Sequence, residues 1–270
     1  MNELALFAGV GGGILGSHLL GWNTICAVER DAYAAQVLAQ RQNDGILRPF
    51  PIWSDITSFD GKPWNGVVDV ISGGFPCQDI SAAGKGAGID GDRSGLWSEM
   101  ARIISEVRPK YIFVENSPLL ISRGLVRVIG DLTKMGYDSQ WARFSASNFG
   151  APHQRDRLWI FAYADRFRLE KKWSTRGYEP EKSKPWRDST HVSNAKSTRW
   201  KQTRSDQRRL EKWFSGGCSK WSWWSVEPRL GRVANGVAYR VDRLKAIGNG
   251  QVPIVAKNAF EYLNGASHEP

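Results

Sequence analysis

The sequence predicts an α/β protein with a doubly wound, mostly parallel sheet and a small, irregular insert. Three observations support this prediction. Short apolar runs alternate with amphipathic stretches over residues 1–164, a glycine-rich turn follows the first apolar run, and the alternation stops between residues 165 and 230. Alternating strands and helices are typical of parallel sheets that carry helices on both faces.

The strands are predicted from apolar runs bounded by polar or glycine-rich turns. In chain order, these runs cover residues 4–7, 24–28, 67–71, 111–114 and 158–162. Apolar side chains at helical spacing predict helices between and after these strands. The first helix begins near Ile14, and the others cover residues 31–40, 96–107, 125–135 and 252–263. Ligands of such sheets bind at the carboxyl ends of the strands, so we expect the functional residues there.

The same pattern divides the chain into three parts. We predict an α/β domain over residues 1–164, an insert over residues 165–230, and a C-terminal segment over residues 231–270. The regular pattern returns late in the chain, with a Gly-Asn-Gly turn at residues 248–250 followed by the closing helix. We therefore expect the C-terminal segment to return to the first domain.

The positive charge of the chain is concentrated in the insert. The whole chain has a net charge of +10, and residues 165–230 hold 17 Lys and Arg against 8 Asp and Glu. Such a concentration suits a surface that neutralises phosphates, although a solvated and partly disordered basic segment is the alternative. Seven of the 13 tryptophans lie in this stretch, and disordered segments are poor in aromatic residues. The aromatic residues therefore favour a nucleic-acid-binding insert.

Other features of the sequence limit the class of protein. No apolar run approaches the roughly 20 residues that span a bilayer, and the N-terminus lacks the features of a signal peptide. Cys26, Cys77 and Cys218 are widely spaced and odd in number, which excludes a disulfide framework and a CxxC metal site. We expect a cytoplasmic protein with reduced thiols and no bound metal.

The glycine-rich turn and the acids after it indicate a cofactor site. Gly9, Gly11 and Gly12 would let the backbone approach a ligand, and the helix N-terminus that follows favours an anionic group. Glu29 ends the second strand, where an acid commonly holds ribose hydroxyls. Asp55 could accept a hydrogen bond from an adenine amine or simply cap a helix. The pattern indicates a nucleoside-containing cofactor but leaves its identity open, with a purely structural turn as the alternative.

A cysteine in a Gly/Pro turn is the strongest candidate for a nucleophile. Cys77 follows the third predicted strand within the segment Gly-Gly-Phe-Pro-Cys-Gln, whereas Cys26 lies inside an apolar strand and fits a packing role. A nucleophilic thiolate needs nearby positive charge or backbone dipoles, because free cysteine titrates near pH 8.5. The turn would hold Cys77 at the mouth of the cofactor cleft, and the glycine-rich loop after it could close over a substrate.

Two further elements place charged groups at strand ends. Glu115 follows the fourth predicted strand and would share the cleft with Cys77. A carboxyl group in a desolvated pocket has a raised pKa, so Glu115 could donate a proton to a ring nitrogen. Arg155 and Arg157 lead into the fifth predicted strand and would supply cations. Each residue could also be a cap or a surface ion-pair partner, but together they form one constellation at one edge of the sheet.

These motifs together resemble those of the cytosine-5 DNA methyltransferase family. The similar segments, in family order, are residues 7–12, 74–78, 93–97, 115–116, 155–157 and 248–253. The Gly-Phe-Pro-Cys-Gln segment resembles the nucleophile motif and is the most specific of the set. The resemblance extends from Leu6 to Leu263 except for the insert, whose compact size suggests a small prokaryotic or phage-type enzyme.

The resemblance implies a role for each matching residue and S-adenosylmethionine as the cofactor of a Rossmann-like domain. Cofactor-binding roles are implied for Phe7, Ala8, Gly9, Gly11, Gly12, Glu29, Asp55, Ile56, Pro76, Leu96 and Asn249. Catalytic roles are implied for Cys77, Glu115, Arg155 and Arg157. Contacts to DNA are implied for Gln78, Ser81 and Arg93, which lie on the closing loop.

The resemblance also implies the reaction and the partners. A cytosine is flipped out of double-stranded DNA, the Cys77 thiolate adds to carbon 6, and a methyl group passes to carbon 5. Residues 1–164 would then be the catalytic and cofactor-binding domain, and residues 165–230 the target-recognition insert. DNA methylation within a restriction-modification system is the implied setting, and we expect a monomer without an obligate protein partner.

Three alternatives are open at this stage. The same chemistry on a tRNA cytosine would use the same motifs, although an extended recognition segment between the last motifs favours DNA. A catalytically silent, methyltransferase-like DNA-binding protein is disfavoured because Cys77, Glu115, Arg155 and Arg157 are all present. An NAD oxidoreductase is supported only by a weak GxGxxG match at residues 11–16 and leaves the Pro-Cys turn unexplained.

Overall fold

The computed structural model describes residues 1–76, 95–151, 153–164 and 240–266. In these residues, seven strands form one sheet in the order β3-β2-β1-β4-β5-β7-β6. The strands are β1 (Asn2–Leu6), β2 (Asn23–Val28), β3 (Ile52–Trp53), β4 (Val70–Gly73), β5 (Tyr111–Asn116), β6 (Tyr137–Phe144) and β7 (Arg157–Ala164). Strands β1 to β5 pair in parallel, while β7 runs antiparallel to both β5 and β6. The strand order reverses between β1 and β4, which is the point where ligands of such sheets bind.

Helices cover both faces of the sheet. They are α1 (Gly12–Leu19), α2 (Ala32–Asn43), α3 (Leu96–Val107), α4 (Leu120–Arg123), α5 (Leu125–Lys134), α6 (Arg240–Asn249) and α7 (Pro253–Ala266). Because side chains alternate along a strand, Leu4 and Leu6 of β1 face α3 and α5, while Ala5 faces α1 and α2. The predicted doubly wound, mostly parallel α/β fold is therefore confirmed.

The C-terminal helix α7 packs on α1 and on the antiparallel end of the sheet. Its Phe260 ring meets Phe113 of β5 and Phe161 of β7 edge-on, with centroid distances of 5.5 and 5.4 Å. Gly16 of α1 permits a close approach, since a Cβ atom at that position would lie 2.7 Å from the Cβ atom of Ala256. The closing helix thus completes the core next to the glycine-rich turn.

The structure differs from the sequence prediction at three strands. The sequence pattern did not predict β6, whose segment Tyr-Asp-Ser-Gln-Trp-Ala-Arg-Phe is polar because it forms an edge of the sheet. The two-residue strand β3 was also missed, being too short for a periodic signal. The third predicted strand, at residues 67–71, begins only at Val70, because the amides of Val67 and Val68 bond to the Trp64 carbonyl in a turn.

Several sequence predictions lie outside the described residues. These are the insert over residues 165–230 and the positions Cys77, Gln78, Ser81 and Arg93. In the part of the chain that the structure describes, no helix has the length and apolar character needed to cross a membrane.

Candidate active site

A cavity of about 650 Å³ opens at the carboxyl ends of the parallel strands. This volume lies within the range typical of small-molecule and cofactor sites, roughly 300–1,000 Å³. Ten of the residues that the sequence pointed to line it: Phe7, Gly9, Glu29, Asp55, Ile56, Pro76, Leu96, Glu115, Arg157 and Asn249. The fold therefore brings together side chains that are up to 242 positions apart in the sequence.

Glu29 is fixed at the end of β2 by two backbone amides. Its Oε2 atom accepts a hydrogen bond of 2.6 Å from the Gly9 amide, and its Oε1 atom accepts one of 2.7 Å from the Asp31 amide. Gly9 has a positive φ of 53°, and a Cβ atom placed there would meet nothing within 4 Å. The turn after β1 and the acid after β2 are thereby joined into one wall of the cavity.

Phe7 makes the same turn in an uncommon backbone conformation. Its φ of 53° lies in the left-handed region, which residues other than glycine seldom adopt. Such conformations persist where the surrounding structure imposes them, and they cluster at ligand sites. The Phe7 side chain lines the cavity and packs against the core between the sheet and α3.

Asp55 has the capping role that the sequence left open and also lines the cavity. Its Oδ1 atom accepts hydrogen bonds from the amide and the hydroxyl of Thr57, at 3.0 and 2.9 Å, in the short 3-10 helix that follows. These bonds lower the pKa of Asp55. The carboxylate is therefore held ionised at the rim of the cavity.

A further ion pair, which the sequence did not indicate, lies across the same cavity. Lys245 of α6 contacts Asp31, the N-cap residue of α2, with an Nζ to Oδ2 distance of 2.5 Å. Both residues line the cavity near Glu29. The contact joins the C-terminal segment to the acid side of the pocket across 214 positions of the chain. No signal in the sequence could have paired these two residues.

Glu115 lies at the end of β5, buried and next to an arginine. Only 8% of its surface is exposed, and its Oε1 atom lies 2.7 Å from Arg157 Nε. Burial raises the pKa of Glu115, while the charges of Arg157 and Arg155 and a hydrogen bond from Gln251 oppose that rise. A carboxyl in this setting can hold a proton at a higher pH than an exposed glutamate does.

Asn116 anchors the segment that leads to Cys77. Its Nδ2 atom donates a hydrogen bond of 3.2 Å to the Phe75 carbonyl, and its Oδ1 atom accepts one of 2.8 Å from the Ser117 amide. Phe75 itself is buried and packs against Trp97 of α3, with ring centroids 5.3 Å apart. The chain is thus held at Pro76, at the cavity wall, one residue before the candidate nucleophile.

Arg155 is placed differently from Arg157. Its guanidinium donates to the carbonyls of Gly248 and Gly250, with a distance of 2.8 Å for the bond to Gly248. Among the described residues, Arg155 lies outside the cavity wall, as do Ala8, Gly11 and Gly12. The structure places Gly248 and Asn249 at the C-terminal end of α6 rather than in the predicted Gly-Asn-Gly turn, because the Gly250 amide continues the helical hydrogen bonding to the Ala246 carbonyl. Arg155 therefore fastens the end of α6, whose last residue, Asn249, lines the cavity.

Cys26 is a packing residue, as its place in an apolar strand indicated. It is 2% exposed within β2, and burial raises the pKa of its thiol to about 11. A thiol with so high a pKa is almost wholly protonated near neutral pH, and the thiolate is the reactive form. Cys26 is therefore unsuited to nucleophilic chemistry.

The fold is an open α/β sheet whose cavity lies at the switch point, the place where ligands of such sheets bind. Residues 1–248 match the family of C-5 cytosine-specific DNA methylases. The match covers most of the chain, and the chain belongs to this family.

The curated relatives are type II methyltransferases of viral and bacterial origin. M.CviJI of Paramecium bursaria Chlorella virus IL3A is 34% identical over 163 residues, which cover 60% of this chain and 42% of the relative. M.PspPI of Psychrobacter sp. (strain TA137) is 37% identical over 161 residues, which cover 57% of this chain and 38% of the relative. The matched part thus spans about two fifths of these relatives.

Two solved structures with a similar fold are also methyltransferases by name. A DNA modification methyltransferase encoded within an E. coli prophage is 26% identical, with a TM-score of 0.52 over 62% of this chain and 48% of that chain. The S. pombe Dnmt2 methyltransferase is 20% identical, with a TM-score of 0.50 over 61% of this chain and 50% of that chain. The second likeness supports the fold alone.

Proposed function

We propose that this protein is a DNA (cytosine-5-)-methyltransferase that uses S-adenosylmethionine as the methyl donor. The observation that carries the proposal is the buried Glu115–Arg157 pair, which shares one cavity with Glu29 and with Pro76, the residue before Cys77. Glu29 and its neighbours in that cavity suit a nucleoside, and Glu115 and Arg157 offer a proton donor and a cation.

The cavity fits the proposed cofactor. Both Glu29 oxygens accept backbone amide hydrogens yet keep lone pairs, so the carboxylate can also accept hydrogen bonds from two ribose hydroxyls. Asp55 stands at the rim as an acceptor for an adenine amine, and Phe7, Ile56 and Leu96 supply apolar walls. When bound, S-adenosylmethionine supplies an electrophilic methyl group.

Cys77 supplies the nucleophile in this proposal. Carbon 5 of cytosine is a poor nucleophile, so the Cys77 thiolate first adds to carbon 6, which forms a carbon–sulfur bond and moves electron density to carbon 5. After carbon 5 has taken up the methyl group, a base removes the proton from carbon 5. The carbon–sulfur bond then breaks, which returns the thiolate and restores the aromatic ring.

Glu115 and Arg157 act on the base while the thiolate adds. Negative charge develops on the ring, and a protonated Glu115 would donate its hydrogen to nitrogen 3 at that moment and take it back when the thiolate leaves. Burial favours the protonated form, because it raises the pKa of Glu115. Arg157 would hold the carbonyl of the base or a neighbouring phosphate, and Arg155 would support it by fixing the end of α6.

Recognition of the DNA is assigned to two parts of the chain that lie outside the described residues. The basic insert at residues 165–230 would contact phosphates and bases, and Gln78, Ser81 and Arg93 would contact the phosphates next to the flipped cytosine. The insert's net charge predicts a DNA affinity that falls steeply with salt. That the protein is a cytoplasmic monomer without an obligate partner stays a prediction.

A covalent-trapping experiment tests the proposal. The full chain is incubated with S-adenosylmethionine and duplex DNA containing 5-fluorocytosine, in which fluorine blocks the loss of the carbon 5 substituent. We expect an adduct that survives denaturing electrophoresis. Cys77→Ala should form no adduct, whereas Cys26→Ala should form it as the wild type does.

Three outcomes would overturn the proposal. An adduct that persists in Cys77→Ala would assign the nucleophile elsewhere, and methylation found only on tRNA would replace DNA as the substrate. Bisulfite sequencing of DNA from cells that express the protein reports both activity and target sequence. Unmodified DNA from these cells, together with a missing adduct, would indicate a catalytically silent binding protein.

A further inference from the structure

We propose that Gln251 is a positioning residue, whose side-chain amide holds the Glu115 carboxyl in place for the reaction. The inference deepens the proposed function and rests on it, because it concerns the proton donor of that same site. It also assigns a purpose to the glycines around the cavity that cofactor binding leaves unexplained.

Gln251 is wedged between the glycine-rich turn and the end of β4. A Cβ atom on Gly12 would lie 2.1 Å from the Gln251 carbonyl oxygen, and one on Gly13 would lie 2.3 Å from Gln251 Oε1. Real Cβ atoms essentially never approach other heavy atoms so closely. Any larger residue at either position would displace Gln251, so these glycines form the seat of this side chain.

Gly74 leaves the space in which the Gln251 side chain meets Glu115. A Cβ atom there would lie 2.8 Å from Glu115 Oε2 and 3.2 Å from Gln251 Nε2, so the two polar groups meet over the bare backbone of this glycine. The Gln251 side chain is hydrogen-bonded to Glu115, and a carboxylate only accepts, so the amide donates. Glu115 is thus held by two distant parts of the chain, because Gln251 donates to its carboxylate and Arg157 of β7 contacts its Oε1 atom.

An amide suits this place better than a charged group. Arg157 and Arg155 already face Glu115 from β7 and the chain before it, and both favour the ionised carboxylate. A third cation would oppose the protonated form that the reaction needs. The amide fixes the direction of the carboxyl without adding charge, and it carries both a donor and an acceptor, so it can pair with either protonation state.

The contact with Glu115 depends on the C-terminal segment being in place. Gln251 follows the end of α6, which Arg155 fastens through Gly248 and Gly250, and Ala256 of α7 packs against Gly16 of α1. Closure of the C-terminal segment therefore completes the proton-donating site as well as the cofactor wall.

The test measures the titration of Glu115 directly. Protein labelled with ¹³C at the glutamate carboxyl carbons is titrated by NMR without DNA or cofactor, and Glu115→Gln identifies the Glu115 signal. Gln251→Met keeps the length of the side chain but loses the donor. Because that donor favours the carboxylate, we expect the pKa of Glu115 to rise by about one unit in this variant.

A second variant tests whether the change in the pKa of Glu115 comes merely from a general loss of packing. Gln251→Glu keeps the shape and sets a second carboxyl against the first, so the pKa of Glu115 should again rise. In both variants we expect kcat to fall about 10- to 100-fold while KM for DNA stays within about twofold, since misplacement of a reacting group acts on the chemical step. Glu115→Gln combined with Gln251→Met should be no slower than Glu115→Gln alone.

The matched control is Gln40→Met. Gln40 Nε2 donates a hydrogen bond of 2.7 Å to Asp44 Oδ1, also from glutamine to carboxylate but exposed on α2. This variant should leave the Glu115 titration and kcat unchanged. A Glu115 signal that titrates at the same pH in wild type and both Gln251 variants would overturn the inference. Absence of methyl transfer in the wild type would overturn the proposed function instead, and the NMR result would still decide the contact.

Discussion

Arg157 and Glu115 are diagonal neighbours on one face of the antiparallel pair formed by β5 and β7. Glu115 pairs directly with Trp159, and Arg157 stands two residues before Trp159 at the start of β7, with its Nε atom 2.7 Å from Glu115 Oε1. Side chains in this diagonal relationship are within reach of each other when one of them is long. Because β7 runs antiparallel to β5, its first residue, Arg157, lies next to the buried Glu115 carboxyl at the end of β5.

Loss of that cation should impair the chemical step. In Arg157→Ala, the group that orients Glu115 and holds the base is removed, and we expect kcat to fall by about 100-fold or more, as for the removal of one preorganised donor. Single-turnover methyl transfer measures this rate. Arg143→Ala is the control, because Arg143 of β6 forms a half-exposed pair with Asp156, the residue before β7, and such pairs contribute little. Equal rates in wild type and Arg157→Ala would remove Arg157 from the mechanism.

A second prediction concerns the acid at the end of β2. Glu29→Gln keeps the shape but leaves one amide group facing the backbone donors of Gly9 and Asp31. Hydrogen bonds to a charged group contribute about 1.5–3 kcal/mol, so S-adenosylmethionine should bind about 10- to 100-fold more weakly. Isothermal titration calorimetry measures the Kd. Glu99→Gln, which changes a surface acid of α3 paired with Arg102, should bind as the wild type does.

An unchanged Kd in Glu29→Gln would show that the cofactor lies elsewhere in the cavity. The melting temperature of the variant separates this case from unfolding, because the buried part of β2 and the core beneath it are untouched by the substitution.

The residues at strand ends could be predicted because local sequence determines them. A buried run followed by a turn places its last residue at the edge of the sheet, and Glu29 and Glu115 were found in this way. Gln251 and Lys245 could not be found, because their partners lie far away in the chain. Lys245 and Asp31, for example, are 214 positions apart, and nothing in either local segment encodes the other.

The sequence pattern assigned the glycines after β1 to the cofactor site, but in the structure these glycines have different neighbours. Gly9 donates to Glu29 in the cavity, as expected of a cofactor turn, whereas Gly12 faces the backbone of Gln251. The sequence shows that a side chain is absent but does not show what occupies the space. The strand β6 was missed for a different reason. An edge strand with one solvent-exposed face carries too few apolar residues to be recognised.

A third prediction concerns the stability of the core under α1. Glu3 of β1 is fully buried and accepts hydrogen bonds from three hydroxyl groups, those of Ser17, Thr24 and Ser72, at 2.6, 2.6 and 2.5 Å. Burial raises the pKa of Glu3 above its ordinary value of 4.5 despite these bonds. The fold therefore favours the protonated carboxyl of Glu3. The stability that this preference contributes is lost as the pH rises from 4.5 through the raised pKa of Glu3.

Glu3→Gln removes this titration. Across that window, the unfolding free energy of the wild type should fall relative to the variant by about 1.4 kcal/mol per pH unit. Urea unfolding at a series of pH values measures both proteins. Parallel curves for wild type and Glu3→Gln would mean that Glu3 titrates alike in the folded and unfolded chain. Glu261→Gln, at a partly exposed pair with Lys257, should give a curve parallel to the wild type.

The last prediction separates the two roles that a glycine in the turn can have. In Gly12→Ala, the new methyl group would lie 2.1 Å from the Gln251 carbonyl, so the C-terminal segment must shift and the unfolding free energy should fall by about 1–3 kcal/mol. Gly130→Ala, inside α5 with nothing within 4 Å of the new methyl, should raise it by about 0.5–1 kcal/mol through helix propensity. Urea unfolding distinguishes the two signs. If Gly12→Ala weakened only S-adenosylmethionine binding and left stability unchanged, Gly12 would serve the cofactor rather than the seat of Gln251.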